Sequence, residues 1–355
     1  ALEVCLQRPD LYPILTSDID RLLDDAHPAT RLQAATHLVR LWDIDRDGFW
    51  NRLALRLIRE TNFGVLGGLV DVLRRVLHAD PARTETCLSA ALDWFSGTAK
   101  EERLAELTAD LHTILAVTYS SPTADAILCR WIADPVVHKG PLHKIVVTLR
   151  EAVALGLRPG QAEDIAVRHR AQRLLYRIVL AANAPLNGYD PKMMIPDDQV
   201  EALRACMNLL DIAGMELYFA TGRAGGGTDG LSDTSCATFL EEIAPTIERI
   251  GDNASPHTVY HLMLLIEVLA PYGAAKAFDL TAHVIRAGGL RGGYQYESLG
   301  ADLMVRLVGT FLADDKEIFA DEARRQALVD CLEIFMEAGW PAARRLLYRL
   351  PELIQ

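Results

Sequence analysis

Apolar residues recur along this chain at spacings of three and four, the pattern that aligns one face of an α-helix. In Pro28–Trp42, residues Leu32, Ala35, Leu38, Val39 and Trp42 form one stripe. Trp50, Leu53, Leu57 and Ile58 form another, then Val65, Leu69, Val72, Leu73 and Val76, then Leu88, Leu92 and Phe95. The same period returns in Leu104–Val117, Ala126–Ile132, Leu142–Leu155, Ala162–Ala181, Val200–Phe219, Phe239–Ile250, Val259–Leu269, Ala274–Ile285, Leu299–Leu312 and Ala327–Met336. Alternating strand-type runs are few. The pattern predicts an all-α chain.

The helix ends are written into the sequence. Asp80-Pro81, Ser121-Pro122, Asp134-Pro135 and Ser255-Pro256 each set a capping side chain before a proline at the first helical position, where the missing N–H costs nothing. Thr98 and Glu101 have the spacing of a capping box. Gly156, Gly222, Gly251, Gly273 and Gly288 are predicted stops. About fifteen mostly short helices result, and pairs of them begin about every 40 residues, the period of helical repeats. Such a pair cannot bury its own inner face, so neighbours must stack. The expectation is an α-solenoid of antiparallel helix pairs, wound into a right-handed superhelix. The glycine-rich stretch Thr221–Ser235 lacks periodicity and is expected to be a flexible loop. It would divide a helical array over 1–220 from a second over 236–355. Ala184–Pro196 reads as another long loop.

Two stretches carry resemblances. His27-Pro28-Ala29-Thr30-Arg31, followed by Ala34, Ala35 and Leu38, resembles the first helix of a HEAT or armadillo-like repeat. Asn62-x-x-Val65, opening Leu66–Leu77, resembles the start of a second helix. The likeness is carried by residues 27–95 and implies a fold without naming an activity. The closing Ala338-Gly339-Trp340-Pro341 and its Arg-rich last helix are similar to the C-terminal helical-repeat sensors of large bacterial STAND-type signalling NTPases. That resemblance implies a ligand-sensing or regulatory part of a larger multidomain protein. The start at Ala1, within a helical pattern, fits a fragment of such a chain.

Composition narrows the function classes. The chain has 355 residues, half of them hydrophobic, and a formal charge of −12, which opposes charge-driven binding to nucleic acid or an anionic membrane. No apolar run reaches the roughly 20 residues of a membrane span. The six cysteines, Cys5, Cys87, Cys129, Cys206, Cys236 and Cys331, are scattered without a C-x-x-C and read as reduced thiols of a cytoplasmic protein. No cofactor motif is complete. Asp43, Asp45, Asp47 and Gly48 match the opening of a calcium loop, but Ala54 stands where the bidentate Glu belongs, so a cap and turn are expected instead. Gly225, Gly227 and Gly230 match the dinucleotide fingerprint without its preceding strand. Tyr296-Glu297-Ser298-Leu299-Gly300 matches a nucleophile elbow at one end only. His257 and His261 lie one turn apart on one helix, a metal-binding spacing that lacks a visible third ligand. The expectation is a half-buried pair at a helix interface and no bound metal.

The local charge reverses over 139–177. Lys139, Lys144, Arg150, Arg158, Arg168, Arg170, Arg173 and Arg177 face only Glu151, Glu163 and Asp164, and Arg170, Arg173 and Arg177 share a helix face. Such a stripe suits an acidic protein surface, a phosphate or a nucleic-acid backbone. With no catalytic spacing in view, the expected function is a non-catalytic protein-recognition scaffold whose partner is another protein or further domains of the same chain. The alternative is a phosphate- or nucleic-acid-binding module, of the HEAT-type DNA-repair kind, using the basic stripe.

Overall fold

The computed structural model describes residues 2–158, 160, 164–188, 196–223 and 230–353. Every regular element among them is helical, and no strand occurs. In chain order the helices are α1 (Leu2–Gln7), α2 (Tyr12–Leu23), α3 (Pro28–His37), α4 (Arg46–Arg59), α5 (Phe63–Val76), α6 (Pro81–Phe95), α7 (Glu101–Val117) and α8 (Pro122–Ala133). Then follow α9 (Lys139–Leu149), α10 (Ile165–Asn183), α11 (Asp197–Ala220), α12 (Asp233–Gly251), α13 (Pro256–Leu269) and α14 (Ala274–Val284). The chain closes with the single turn α15 (Leu290–Gly292), α16 (Ser298–Asp314), α17 (Glu322–Glu337) and α18 (Pro341–Leu353).

Capping chemistry fixes many of the starts. Asp80 accepts from the Arg83 N–H at 3.1 Å, Ser121 from Ala124 at 3.0 Å and Ser255 from Thr258 at 3.1 Å. His27 does the same with its ring nitrogen, accepting from Ala29 at 3.2 Å. Three expectations shift. Asp134 caps a turn rather than a helix, and α9 begins only at Lys139. Glu101 reaches back to the Gly97 N–H at 2.7 Å instead of closing a box with Thr98. Gly288 does not stop α14 but lies in a π-turn, Ile285–Gly289, that continues it. Gly156 and Gly222 do sit at left-handed positions, at φ 78° and 65°.

The chain divides between Arg130 and Trp131 into two compact units. In the first, α3 packs on α5, α4 on α6 and α5 on α7, each helix meeting the one after next. In the second, α9 packs on α11, α10 on α12, α11 on α13, α12 on α14, α13 on α16 and α14 on α17. The core follows from the stripes: Leu53, Leu57, Leu69, Leu73 and Leu88 are fully enclosed in the first unit, and Leu210, Phe239, Leu262, Phe278 and Phe311 in the second. The boundary expected at 221–235 falls inside the second unit, where α11 and α12 contact each other. Its flanks are tied, Leu231 donating to the Thr221 carbonyl at 2.9 Å and Arg223 to Tyr272 at 2.7 Å. Residues 224–229 of that stretch, with Gly225 and Gly227, lie outside the described residues, as do 189–195 of the second expected loop.

Polar links tie successive pairs at a recurring distance along the chain. In the first unit Arg52 bonds Asp20, Arg56 bonds Asp24, Arg83 bonds Asp47 and Arg74 bonds Asp110, each 32 or 36 residues away. In the second, Arg306 bonds Glu267, Arg286 bonds Asp330 and Arg324 bonds Asp279, 39 to 45 residues away.

Candidate functional site

The basic stretch is only in part a surface. Arg168, on the first turn of α10, is buried, and its guanidinium makes a two-point pair with Glu242 of α12, both bonds at 3.0 Å, while donating to the Leu155 carbonyl at 2.9 Å. Gln172 and His169 also turn to Glu242, at 2.8 and 3.3 Å. Burial works against the charged form of Glu242, but the bonds from Arg168 and Gln172 outweigh it and hold its carboxyl low. Arg150 pairs with the buried Glu216 of α11 and stacks over the Phe219 ring at 5.1 Å. Arg158 pairs with Glu151 at 2.6 Å. These cations therefore hold the second unit together. Lys139, Lys144 and Arg173 are exposed, and Arg170 and Arg177 are half-buried beside Arg173 on α10. Glu163 lies outside the described residues.

The aspartates of the calcium-like stretch do not converge. Asp45 is the N-cap of α4, accepting from the Gly48 N–H at 2.8 Å with one oxygen and from the Tyr12 hydroxyl with the other. Asp47 pairs with Arg83 of α6 at 2.9 Å, and Asp43 points to solvent. The cysteines offer no soft ligand cluster either. Burial pushes the Cys87 thiol up to about 11 and the Cys331 thiol up to about 12.

The histidine pair is different, because a third group joins it. Asp211 of α11 accepts from Nδ1 of His257 at 2.9 Å with one oxygen and from Nδ1 of His261 at 3.3 Å with the other. Both histidines lie on α13, one turn apart, with ring centroids 4.5 Å apart and planes at 72°. Gly214, three residues beyond Asp211, faces α13 closely. A Cβ there would lie 3.3 Å from Leu262, the neighbour of His261. His261 and Asp211 are mostly covered, at 14% and 21% exposure, while His257 is 69% exposed. Burial disfavours the charged form of Asp211, yet the hydrogen bonds from His261 and His257 prevail and depress its pKa. This trio is the one group of three such ligands whose donor atoms converge among the described residues.

A cavity of about 440 Å³ lies along the same two helices. Leu186, Val200, Leu203, Met207, Ala254 and Pro256 give it a mainly apolar lining. Val200, Leu203 and Met207 line it from α11 and Pro256 from the start of α13, while Asp211, His257 and His261 are not part of its wall. Arg204 and Arg291 also line it.

Sequence reasoning found the two histidines and missed Asp211. The signal was there: a lone carboxylate inside the apolar run Leu209-Leu210-Asp211-Ile212-Ala213, about one helix-pair period before His257. The buried Glu216, between Met215 and Leu217, carries the same mark. Compared with protein-family models, with characterised proteins and with solved structures, the chain finds no match.

Proposed function

We propose that the chain is a non-catalytic recognition scaffold in which each unit is a stack of HEAT-like antiparallel helix pairs turning as a right-handed superhelix. The observation that supports this reading is the register of the polar links. Several side chains of one pair reach a partner 32 to 46 residues along, the interval expected between equivalent positions of adjacent repeats, while Arg150–Glu216 and Arg168–Glu242 span 66 and 74 residues. Repeats held this way leave an extended outer surface whose side chains vary without disturbing the core. The ligand of such a surface is a protein, either a separate one or further domains of the same chain, as in a sensor. The exposed cations Lys139, Lys144 and Arg173 suit an acidic face of it, since the basic residues nearer the core are already paired.

The alternative, a phosphate or nucleic-acid site on the same stripe, is separated by one titration. Labelled single- and double-stranded oligonucleotides are followed by fluorescence polarisation at low and physiological salt. The scaffold reading expects no micromolar binding, because the chain's overall charge repels a polyanion. Micromolar binding that weakens by about one power of salt per phosphate contact and vanishes on Lys139→Glu, Lys144→Glu and Arg173→Glu would replace it with the alternative. The same triple variant, with unchanged circular dichroism, should release a protein partner that the wild-type chain retains from a cell extract.

A further inference from the structure

The scaffold reading makes no use of Asp211, His257 and His261. We propose that these three side chains form a binding site for one divalent transition-metal ion of the zinc class, with a coordination position left open.

The donor set decides the class of ion. Two imidazole nitrogens and one carboxylate oxygen suit a borderline ion such as Zn²⁺ or Co²⁺, whereas calcium and magnesium take oxygen ligands. The spacing decides whether one ion can serve all three. Donors each about 2.0–2.2 Å from a tetrahedral centre lie about 3.3 Å from one another. The Nδ1–oxygen separations are 2.9 and 3.3 Å, each histidine to its own carboxylate oxygen, and the three groups present donor atoms within 4.8 Å of one another. Side-chain rotations draw these atoms in to the tetrahedral spacing. Each imidazole carries its single proton on Nε2 and turns a bare Nδ1 to the ion, and the carboxylate accepts metal in place of the two N–H groups. The histidines are one helical turn apart on α13, and α13 packs along α11, so the site is built on rigid elements.

Charge supports the assignment. Asp211 sits in a mostly covered position with no arginine or lysine bonded to it among the described residues, and only the two imidazoles serve it. A carboxylate removed from water in this way gains most from a nearby cation. Elsewhere in the second unit the covered carboxylates Glu216 and Glu242 have their arginine. Three protein ligands are the number found where a metal keeps a fourth position for water or a small molecule.

The test uses the full chain, stripped with a chelator and titrated with Zn²⁺ against a chromophoric competitor, then with Co²⁺ followed by visible absorption. The expected result is one equivalent of either ion and Co²⁺ bands of the intensity of four- or five-coordination. His257→Ala, His261→Ala and Asp211→Asn should each weaken binding at least 100-fold, beyond the roughly 10–100-fold that loss of a mere orienting partner costs. His257 is largely exposed, so His257→Ala retains the fold, and its melting temperature in chelator should equal that of the wild type. The exposed His143→Gln should bind as the wild type does. The proposal is overturned if stripped protein takes up no stoichiometric Zn²⁺, if His257→Ala and His261→Ala bind it undiminished, or if His143→Gln abolishes binding. In those cases the trio is only a hydrogen-bonded clasp between two helices.

Discussion

At the scale of the residue, the buried charges are the places where this fold depends on solution conditions. Glu60, at the end of α4, is fully covered. Its carboxylate takes two bonds from Arg31 at 2.8 Å, two from Arg56 at 3.2 and 3.0 Å, and the N–H groups of Thr61 and Asn62 at 2.9 and 2.8 Å. Burial alone would raise its pKa, but these donors reverse the sign and bring it down to about 2. His112 on α7 is the opposite case: burial lowers it to about 4, so it stays neutral in the folded chain. Both groups hold fewer protons folded than unfolded, so both lend stability at neutral pH that is lost on acidification. The windows differ. The contribution of His112 fades from its ordinary value of 6.5 down to about 4, and that of Glu60 from 4.5 down to about 2. Denaturant midpoints measured from pH 7 to pH 2.5 should therefore fall in two stages. Glu60→Gln should lower stability at pH 7 by about 3 kcal/mol and flatten the lower stage while leaving the upper one. A Glu60→Gln profile parallel to the wild type would show that the arginine pairs contribute no differential binding of protons.

At the scale of the element, most of the helices were legible from the spacing of apolar residues and from short capping signatures. Asp80, Ser121 and Ser255 cap where the sequence placed them, because an N-cap involves only its own next three residues. What was not legible depends on residues far along the chain. The role of Gly288 is an example. Its π-turn brings it against the α12–α13 connection, where a Cβ would lie 2.4 Å from the Ala254 nitrogen and 2.5 Å from the Gly251 carbonyl. A sequence shows a glycine near a helix end, and nothing local says that a second backbone approaches it. Asp211 was missed for the same reason, since its partners lie on another helix. Two substitutions separate the local from the long-range use of glycine. Gly288→Ala forces backbone apart and should cost about 1–3 kcal/mol. Gly67→Ala, inside α5 with nothing within 4 Å of the added carbon, should stabilise by about 0.5–1 kcal/mol through helix propensity. Urea midpoints give both numbers, and equal effects of the same sign would contradict the packing described around Gly288.

At the scale of the whole molecule, the question is whether each unit behaves as a row of pairs or as one indivisible core. The pattern of packing in which a helix meets the one after next makes a definite claim, because the last pair then has neighbours on one side only. In the second unit α17 packs on α14 and α18, and α18 on α16 and α17. If stability is a sum of pair terms and contacts between adjacent pairs, removing residues 322–355 takes away 16- and 13-residue helices and exposes one face of α14 and α16. The rest keeps its own neighbours. The shortened chain should retain helical circular dichroism in proportion to its length and unfold cooperatively at a lower temperature. A single core would respond otherwise, since losing part of an all-or-none structure removes the remainder as well. Loss of all ordered signal from the second unit, read by amide hydrogen exchange of α9 to α14, would refute the stacked-pair arrangement. The truncation spares Asp211, His257 and His261 and the exposed cations of α9 and α10. A chain that stays folded after it should still bind one equivalent of Zn²⁺, so repeat architecture and metal binding stand or fall on separate readings of one variant.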